Sequence, residues 1–178
     1  MKRPILFLDF DDVICLNAPY GGYDVFAPNK PSDLYERLFA PQCTTLLLEV
    51  LKAYQPQVVL TTSWLRLMDR EGFESLFSRT GLELVSTSLQ EHWSATQNRG
   101  WERVAAIDSW LSNFHDGEPY VIFDDECSGT GLKRSRHDRA KRLVLCGENV
   151  GLQEGHLALV AQALTTPARR QQRKQRDG

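Results

Sequence analysis

The chain has 178 residues, of which 42% are hydrophobic and 25% charged, and its formal net charge is −2. This length allows one ordinary domain with a hydrophobic core and is short for two. The composition is that of a globular protein, and no apolar run reaches the roughly 20 residues that a membrane helix needs.

The charge is unevenly distributed along the chain. The last ten residues, RRQQRKQRDG, hold five of the 21 basic residues and one of the 23 acidic ones, which leaves 16 basic against 22 acidic residues in the rest. Because this segment has no apolar side chain to bury, we expect one domain over residues 1–166 and a disordered basic tail over 167–178. The tail could bind nucleic acid or only aid solubility, and the sequence leaves both open.

The cysteines and the first residues indicate a reduced, cytoplasmic protein. Cys15, Cys43, Cys127 and Cys146 are scattered, with no pair at the spacing of a zinc site or a redox motif. The opening MKRPILFLDF has an apolar part that is too short for a signal peptide. We therefore expect no membrane association.

Strand and helix patterns alternate along the chain. Predicted strands cover Ile5–Asp9, Gln57–Leu60, Leu82–Val85, a run from Tyr120 and Arg142–Cys146, and predicted helices cover Pro41–Tyr54, Trp64–Ser78, Trp101–Asn113 and about Gln153–Leu164. The connection after the first strand is irregular, and residues 86–100 are predicted to be a polar loop. This order predicts an α/β fold with a mostly parallel five-stranded sheet and helices on both faces.

Two of the predicted strands end in pairs of acidic residues. The run ILFLDFDDV ends with Asp9 and Asp11, and YVIFDDE ends with Asp124 and Asp125. In a parallel sheet all four would meet at the carboxyl edge, where open α/β sheets bind ligands. Four neighbouring carboxylates repel one another, so they favour a hard divalent cation, and few all-oxygen ligands suit Mg²⁺. A single D-x-D is common at turns and helix caps, but two acidic strand ends are a stronger signal.

The order of these motifs resembles that of the haloacid dehalogenase-like (HAD) superfamily. A strand ending D-x-D, a second strand followed by Thr/Ser and a late strand ending D-D cover Ile5 to about Leu164. The segments LTTSWL, RVAAIDSWL, YVIFDDE and GLQEGHLALVAQAL are further similar to the small capless HAD domain of bacterial RNA-repair proteins. The resemblance implies a three-layer α/β/α, Rossmann-like domain, and the connections are too short for a sizeable cap.

The resemblance also implies roles for individual residues. Asp9 matches the nucleophile and Asp11 the general acid/base, while Thr62, or its neighbour Ser63, matches the hydroxyl that binds the phosphoryl group. Asp124 and Asp125 match the acidic pair that completes the Mg²⁺ site. The implied metal ligands are therefore Asp9, Asp11, Asp124 and Asp125.

The sequence departs from the superfamily pattern at two points. Asp12 stands where the superfamily usually has Gly, and it could crowd the loop that approaches the metal. The usual phosphate-binding Lys has no counterpart between Leu82 and Tyr120. Arg103 is the first candidate for this cation, Arg99 the second and Lys133, just beyond the acidic pair, the third.

Several basic and aromatic residues are candidates for nucleic-acid binding. The segment Lys133–Arg142, KRSRHDRAKR, holds six basic residues, which could bind phosphates at the rim of the site or form a solvated loop. Trp64 and Trp101 are expected in the core, and Trp93 is the better candidate for stacking on a base.

The implied activity is a Mg²⁺-dependent phosphatase that forms an aspartyl-phosphate. An open, capless site favours a terminal phosphate of RNA or DNA, while nucleotides, other small phosphate esters and phosphoproteins stay open. A non-catalytic HAD-like binding domain is the other alternative, because of Asp12 and the missing Lys. A phosphorylation-controlled receiver module does not fit, since the middle strand is followed by Thr61, Thr62 and Ser63 instead of Asp.

Overall fold

The computed structural model describes residues 2–96, 102–126 and 130–168. In these residues five strands form one sheet in which every pairing is parallel. The strands are β1 (Ile5–Leu8), β2 (Gln57–Leu60), β3 (Leu89–Ser94), β4 (Tyr120–Asp125) and β5 (Leu143–Cys146), and their order across the sheet is β3-β2-β1-β4-β5. The central strands β1 and β4 are buried over their whole length, as expected for apolar runs in a parallel sheet.

The helices described are α1 (Gly22–Phe26), α2 (Leu34–Arg37), α3 (Pro41–Tyr54), α4 (Arg70–Arg79), α5 (Glu83–Thr87), α6 (Arg103–Phe114), α7 (Arg136–Arg139) and α8 (Leu157–Thr165). Leu6 and Leu8 of β1 belong to a core that includes residues of α3, α4 and α8, whereas Ile5 and Phe7 belong to a second core with α6. Successive strand side chains point to opposite faces, so the sheet is covered on both sides. The three-layer α/β/α architecture is thereby confirmed.

Helix α3 has the bounds predicted from the sequence. Pro41 occupies its first turn, where a missing N–H costs nothing, and five buried apolar residues follow at helical spacing. The helix ends at Gln55, which adopts a left-handed conformation. This helix brings the chain back to the start of β2.

The third strand was predicted in the wrong place. Leu82–Val85 does not form a strand: α5 covers Glu83–Thr87, and the strand at the sheet edge is Leu89–Ser94, within the predicted loop. Leu82 and Val85 are buried three positions apart, which is helical spacing. Strand β3 carries partly exposed and exposed side chains because it has a neighbour on one side only, so it has no apolar run.

The predicted helix Trp64–Ser78 is divided. A 3₁₀ turn covers Ser63–Arg66, and α4 begins after Asp69, whose side chain accepts a hydrogen bond from the Gly72 N–H at 2.9 Å. Asp69 is thus an N-cap that starts a new helix. The last predicted helix is likewise a 3₁₀ turn, Glu154–His156, followed by α8. Trp101, the predicted start of α6, lies outside the described residues.

The connection from β1 to α3 contains no sizeable cap. Its two helices, α1 and α2, have five and four residues. The tail from residue 169 onward lies outside the part of the chain that the structure describes. Among the described helices none is long and apolar enough to cross a membrane.

Candidate active site

The register of the sheet brings three strand ends to one edge. Leu8 of β1 pairs with Leu60 of β2 and with Phe123 of β4. The next residues along the three strands are Asp9, Thr61 and Asp124. The Asp9 N–H donates to the Phe123 carbonyl at 3.1 Å and the Thr61 N–H to the Leu8 carbonyl at 2.9 Å, so this alignment continues past the end of β1.

Three carboxylates meet at this edge, and we call them the acidic cluster: Asp9, Asp124 and Asp125. Each is buried, and one oxygen from each lies within 4.8 Å of the others. The sequence predicted this convergence from the ends of two apolar strands. Side chains of this kind are buried together only when charge or protons compensate them.

Arg103 lies against the acidic cluster. It is the first residue of α6, its side chain is 6% exposed, and its Nη1 lies 2.9 Å from Asp9 Oδ2 and 3.0 Å from Asp124 Oδ2. The structure therefore places the first-choice cation beside the predicted nucleophile. Arg99 lies outside the described residues. Lys133 is exposed and makes no hydrogen bond or ion pair with the part of the chain that is described.

Burial has the largest effect on the pKa values of Asp9 and Asp124 in the acidic cluster. It raises the pKa of Asp9, although the charge and the hydrogen bond of Arg103 oppose the shift. Burial and the charge of Asp9 raise the pKa of Asp124 well above its usual value, again against Arg103. For Arg103, burial lowers the pKa, but the charges of Asp9 and Asp124 outweigh it and the net shift is upward. One guanidinium therefore does not compensate the cluster fully.

The acidic cluster fits a hard divalent cation. Asp9 Oδ1 is buried and has no hydrogen-bond partner among the described residues, so one oxygen of the predicted nucleophile is unsatisfied. All three side chains offer oxygen, the donor that Mg²⁺ prefers. A cation would also relieve the repulsion that raises the carboxyl pKa values.

Asp11 has a different environment. It is only partly buried, and its Oδ2 accepts hydrogen bonds from Trp64 Nε1 at 3.0 Å and from Ser63 Oγ at 3.4 Å. Burial and the charge of Asp9 raise the pKa of Asp11 to about 6, although the two hydrogen bonds favour its ionised form. A carboxyl group with such a pKa suits a general acid/base. Its oxygens are not part of the acidic cluster, and its contact with a metal stays a prediction.

The three hydroxyl residues after β2 make different contacts. Thr62 Oγ1 accepts a hydrogen bond from the Trp64 N–H at 3.3 Å, and Ser63 Oγ donates to Asp11. Thr61 is fully buried, and its Oγ1 has no partner among the residues described. Thr62 and Ser63 were the hydroxyl candidates from the sequence, and Thr61 was not among them. Thr61 is the first residue after β2 and lies level with Asp9 at the sheet edge.

Asp12 occupies a position that favours glycine. Its φ is +54°, in the left-handed region, and its Oδ1 accepts a hydrogen bond from the Asn149 N–H at 2.7 Å. Asp and Asn are the residues other than Gly that tolerate this conformation best. The carboxylate thereby holds the loop after β5 against the loop after β1. This contact accounts for Asp at the usual Gly position.

Part of the basic segment Lys133–Arg142 has a structural role. Arg136 Nη2 lies 2.5 Å from Asp108 Oδ1 of α6, and His137 joins the same Asp108 oxygen (2.7 Å) to the Tyr120 hydroxyl (2.8 Å). Arg142 donates to the backbone carbonyls of α8 and Pro167. Tyr120 begins β4, at the end of the strand opposite to Asp124. These contacts favour the connecting-loop interpretation for Arg136 and Arg142.

The two described tryptophans of interest pack against phenylalanines. Trp64 is buried, as expected, and its ring contacts those of Phe10 and Phe39. Trp93 is partly buried and lies 5.8 Å from the Phe73 ring, centroid to centroid. Its role in base stacking stays a prediction.

The parallel sheet, the acidic cluster and Arg103 define a HAD-like α/β domain. Residues 5–157 match the family model of the HAD domain in Swiss Army Knife RNA repair proteins. Because the match covers most of the chain, the protein belongs to this family, and membership indicates a hydrolase. Comparison with curated proteins and with solved structures found no significant match.

Proposed function

We propose that the protein is a Mg²⁺-dependent phosphoric monoester hydrolase that forms an aspartyl-phosphate at Asp9. The observation that carries this proposal is the state of the Asp9 carboxylate at the strand end. One of its oxygens lies 2.9 Å from Arg103, and the other is buried without a partner among the described residues. An unsatisfied carboxylate oxygen beside a guanidinium is suited to attack on an anionic phosphoryl group.

In the first step Asp9 attacks phosphorus, and the bond from phosphorus to the ester oxygen breaks. Asp11 donates its proton to the departing oxygen. In the second step Asp11 takes a proton from water, which attacks the phosphorus of the aspartyl-phosphate and releases Asp9. Arg103 supplies hydrogen bonds and positive charge, and a hydroxyl of Thr62 or Ser63 would bind a phosphoryl oxygen.

Asp9, Asp124 and Asp125 would hold Mg²⁺, with Asp11 as a further proposed ligand. When bound, the ion would shield the carboxylates from the negative phosphate. Arg103 pairs with Asp9 and Asp124, and the pKa values of both stay raised beside it, which is why we include the metal in the proposal.

We propose a terminal phosphate of RNA or DNA as the substrate. The open sheet edge and the RNA-repair context in the family's description support it. Nucleotides or other small phosphate esters are the alternative enzyme substrates. A non-catalytic binding domain is the alternative to an enzyme, but Arg103 supplies the cation and Asp12 fits its loop, which weakens both reasons for it.

The domain is proposed to span residues 1–166 with a basic tail over 167–178. A cytoplasmic location is proposed because Cys15, Cys43 and Cys146 are buried free thiols.

The test is phosphate release from 3′- and 5′-phosphorylated oligonucleotides, and from a small phosphate ester, with Mg²⁺ and with chelator. Asp9→Asn should lower kcat by more than about a thousandfold because it removes the nucleophile. Asp69→Asn, the same substitution at the cap of α4, is the matched control and should keep full activity, since Asn also caps helices.

Release that persists in Asp9→Asn or in chelator would contradict the mechanism. Cleavage of the small ester without cleavage of oligonucleotides would transfer the proposal to small substrates. A folded protein that binds Mg²⁺ and releases no phosphate from any substrate would support the binding-domain alternative.

A further inference from the structure

A pocket of about 500 Å³ lies beside Asp11. One wall belongs to α1 and the residues after it, including Tyr23, Phe26 and Pro28. The other wall belongs to the 3₁₀ turn after β2 and includes Trp64 and Leu67. This volume is in the range of small-molecule sites.

The position of the pocket identifies which part of a substrate it would receive. Asp11 lines the pocket, and Ser63 and Trp64, which donate hydrogen bonds to Asp11 Oδ2, line it as well. In the proposed mechanism Asp11 protonates the departing oxygen. A group that enters the pocket is therefore the alcohol side of the phosphate ester, and the phosphate lies toward Asp9.

The walls of the pocket include two large side chains that are accessible to a ligand. Tyr23 is 90% exposed and Leu67 is 68% exposed. Phe26 lies beside Trp64 in an edge-to-face contact, with ring centroids 5.9 Å apart, and Trp64 itself is 3% exposed. An exposed aromatic ring such as that of Tyr23 can stack on a nucleobase.

The described lining of the pocket offers no cation to an anionic group. Among the described residues that line it, Asp11 is the sole charged side chain, and no Lys or Arg is present to pair with a second phosphate or a carboxylate. The Asn17 side-chain amide, also in the lining, offers both a donor and an acceptor to the edge of a neutral base.

We infer that this pocket binds the nucleoside of a phosphorylated nucleotide, with the base against Tyr23. The inference rests on the proposed phosphatase function and adds the chemical class of the leaving group. The nucleoside belongs either to a free mononucleotide or to the terminal residue of an oligonucleotide, and both present the same base and sugar to the pocket.

The test compares substrates that carry a base with one that lacks it. Steady-state kinetics would be measured for a nucleoside monophosphate, a short oligonucleotide with a terminal phosphate and glycerol phosphate. Variants are Tyr23→Ala, Tyr23→Phe and Phe114→Ala, the last an exposed aromatic residue at the far end of α6 from Arg103.

Tyr23→Ala should raise KM for at least one base-containing substrate by about 5- to 150-fold, since stacking contributes about 1–3 kcal/mol per base. It should leave glycerol phosphate cleavage unchanged. Tyr23→Phe keeps the ring and should have the KM of the wild type. Phe114→Ala should leave the kinetic constants for every substrate unchanged. A larger increase in KM for the mononucleotide or for the oligonucleotide would show which of the two supplies the nucleoside.

Equal loss on glycerol phosphate, or no preference of the wild type for a base, would overturn the inference while the phosphatase function stands. If no substrate is cleaved, the pocket is tested by NMR titration with adenosine and uridine. Nucleoside binding that Tyr23→Ala weakens would support the pocket even then, and no binding would overturn it.

Discussion

Asp9 and Asp11 lie two residues apart, yet their surroundings suit them to different roles. Asp9 is buried against Arg103, which favours the ionised form that a nucleophile needs, in opposition to the burial that raises its pKa. Asp11 is partly buried and close to the charge of Asp9, and both raise its pKa, which favours the protonated form that a general acid needs. Pairs of carboxyl groups in different environments commonly divide acid and nucleophile roles in this way.

The raised pKa of Asp11 predicts a pH dependence for the first chemical step. Because Asp11 is protonated below its pKa of about 6 and ionised above it, kcat/KM for a nucleoside phosphate should decline as pH rises through this value. A bound metal's charge would move the decline to somewhat lower pH. The measurement is a pH–rate profile with two substrates, the second being p-nitrophenyl phosphate.

The p-nitrophenolate group leaves without a proton, so its profile should lack the decline. Asp11→Asn should slow the nucleoside phosphate much more than the p-nitrophenyl ester. If kcat/KM declined identically for both substrates, the decline would belong to a group other than Asp11.

Asp12 predicts a measurable effect on stability. Asp12→Ala should lower the free energy of unfolding by about 1–2 kcal/mol, because it removes the hydrogen bond from the Asn149 N–H and leaves Ala in a left-handed conformation. Asp12→Asn keeps an acceptor and tolerates the conformation, so it should stay close to the wild type. Denaturant unfolding in chelator measures both, and an Ala variant as stable as the wild type would refute this role.

At the scale of elements, the sequence was most informative where an apolar run coincides with a buried element. Strands β1, β2 and β4 were predictable because each contains an unbroken apolar run, and helix α3 because its buried residues recur at helical spacing. Strand β3 could not be found this way. It lies at the sheet edge, and its side chains are exposed or partly exposed.

The acidic cluster was predictable for the same reason, since parallel strands end at one edge. The resemblance named Arg103 as the first candidate cation, but the side-chain contacts of Arg103 and of Asp11 could not be predicted. Arg103 reaches Asp9 because α6 begins at that edge, and Trp64 reaches Asp11 because the chain forms a 3₁₀ turn after β2. Both contacts depend on how the helices and turns pack against the sheet, which a periodic pattern does not specify.

The connection between β4 and β5 contacts Asp108 of α6, and we predict that this contact stabilises the fold without affecting catalysis. Asp108→Ala would leave the ring nitrogen of buried His137 without its carboxylate partner and would free Arg136. The loss should be about 1–3 kcal/mol of unfolding free energy, as for a buried polar group left unpaired. The kcat/KM of the folded protein should be unchanged, because Asp108 contacts Arg136 and His137, and His137 contacts Tyr120 at the end of β4 opposite to the acidic cluster.

Asp108→Asn keeps an oxygen acceptor for His137 and should recover part of the lost stability. Denaturant unfolding and phosphate release would be measured on the same preparations. A fall in kcat/KM at full stability would instead show that the basic segment acts on the substrate.

For the whole molecule, the acidic cluster links stability to pH and to metal. The pKa values of Asp9 and Asp124 are raised in the folded state, so the folded protein binds more protons than the unfolded chain once pH exceeds about 4. Stability of the metal-free protein should therefore fall as pH rises above about 4, over the range in which these buried carboxyl groups lose their protons.

Mg²⁺ should reverse this loss, and its stabilising effect should increase with pH as protons cease to compete for the carboxylates. At a concentration 100 times Kd the gain would be about 2.7 kcal/mol. Thermal unfolding with MgCl₂ and with chelator measures it. Asp124→Asn should weaken both the pH trend and the metal effect, and Asp69→Asn should change neither. A Tm that is insensitive to Mg²⁺ at every pH would contradict a metal site here.

The central claim is that Asp9 becomes covalently phosphorylated. The most direct measurement is to quench a reaction with borohydride, which reduces an aspartyl-phosphate to homoserine, and to locate the product by peptide mass spectrometry. We predict homoserine at position 9 in the wild type with Mg²⁺ and substrate, and none in chelator or in Asp9→Asn. Turnover with no modified residue, or with the modification at another carboxylate, would contradict the assignment of Asp9 as the nucleophile.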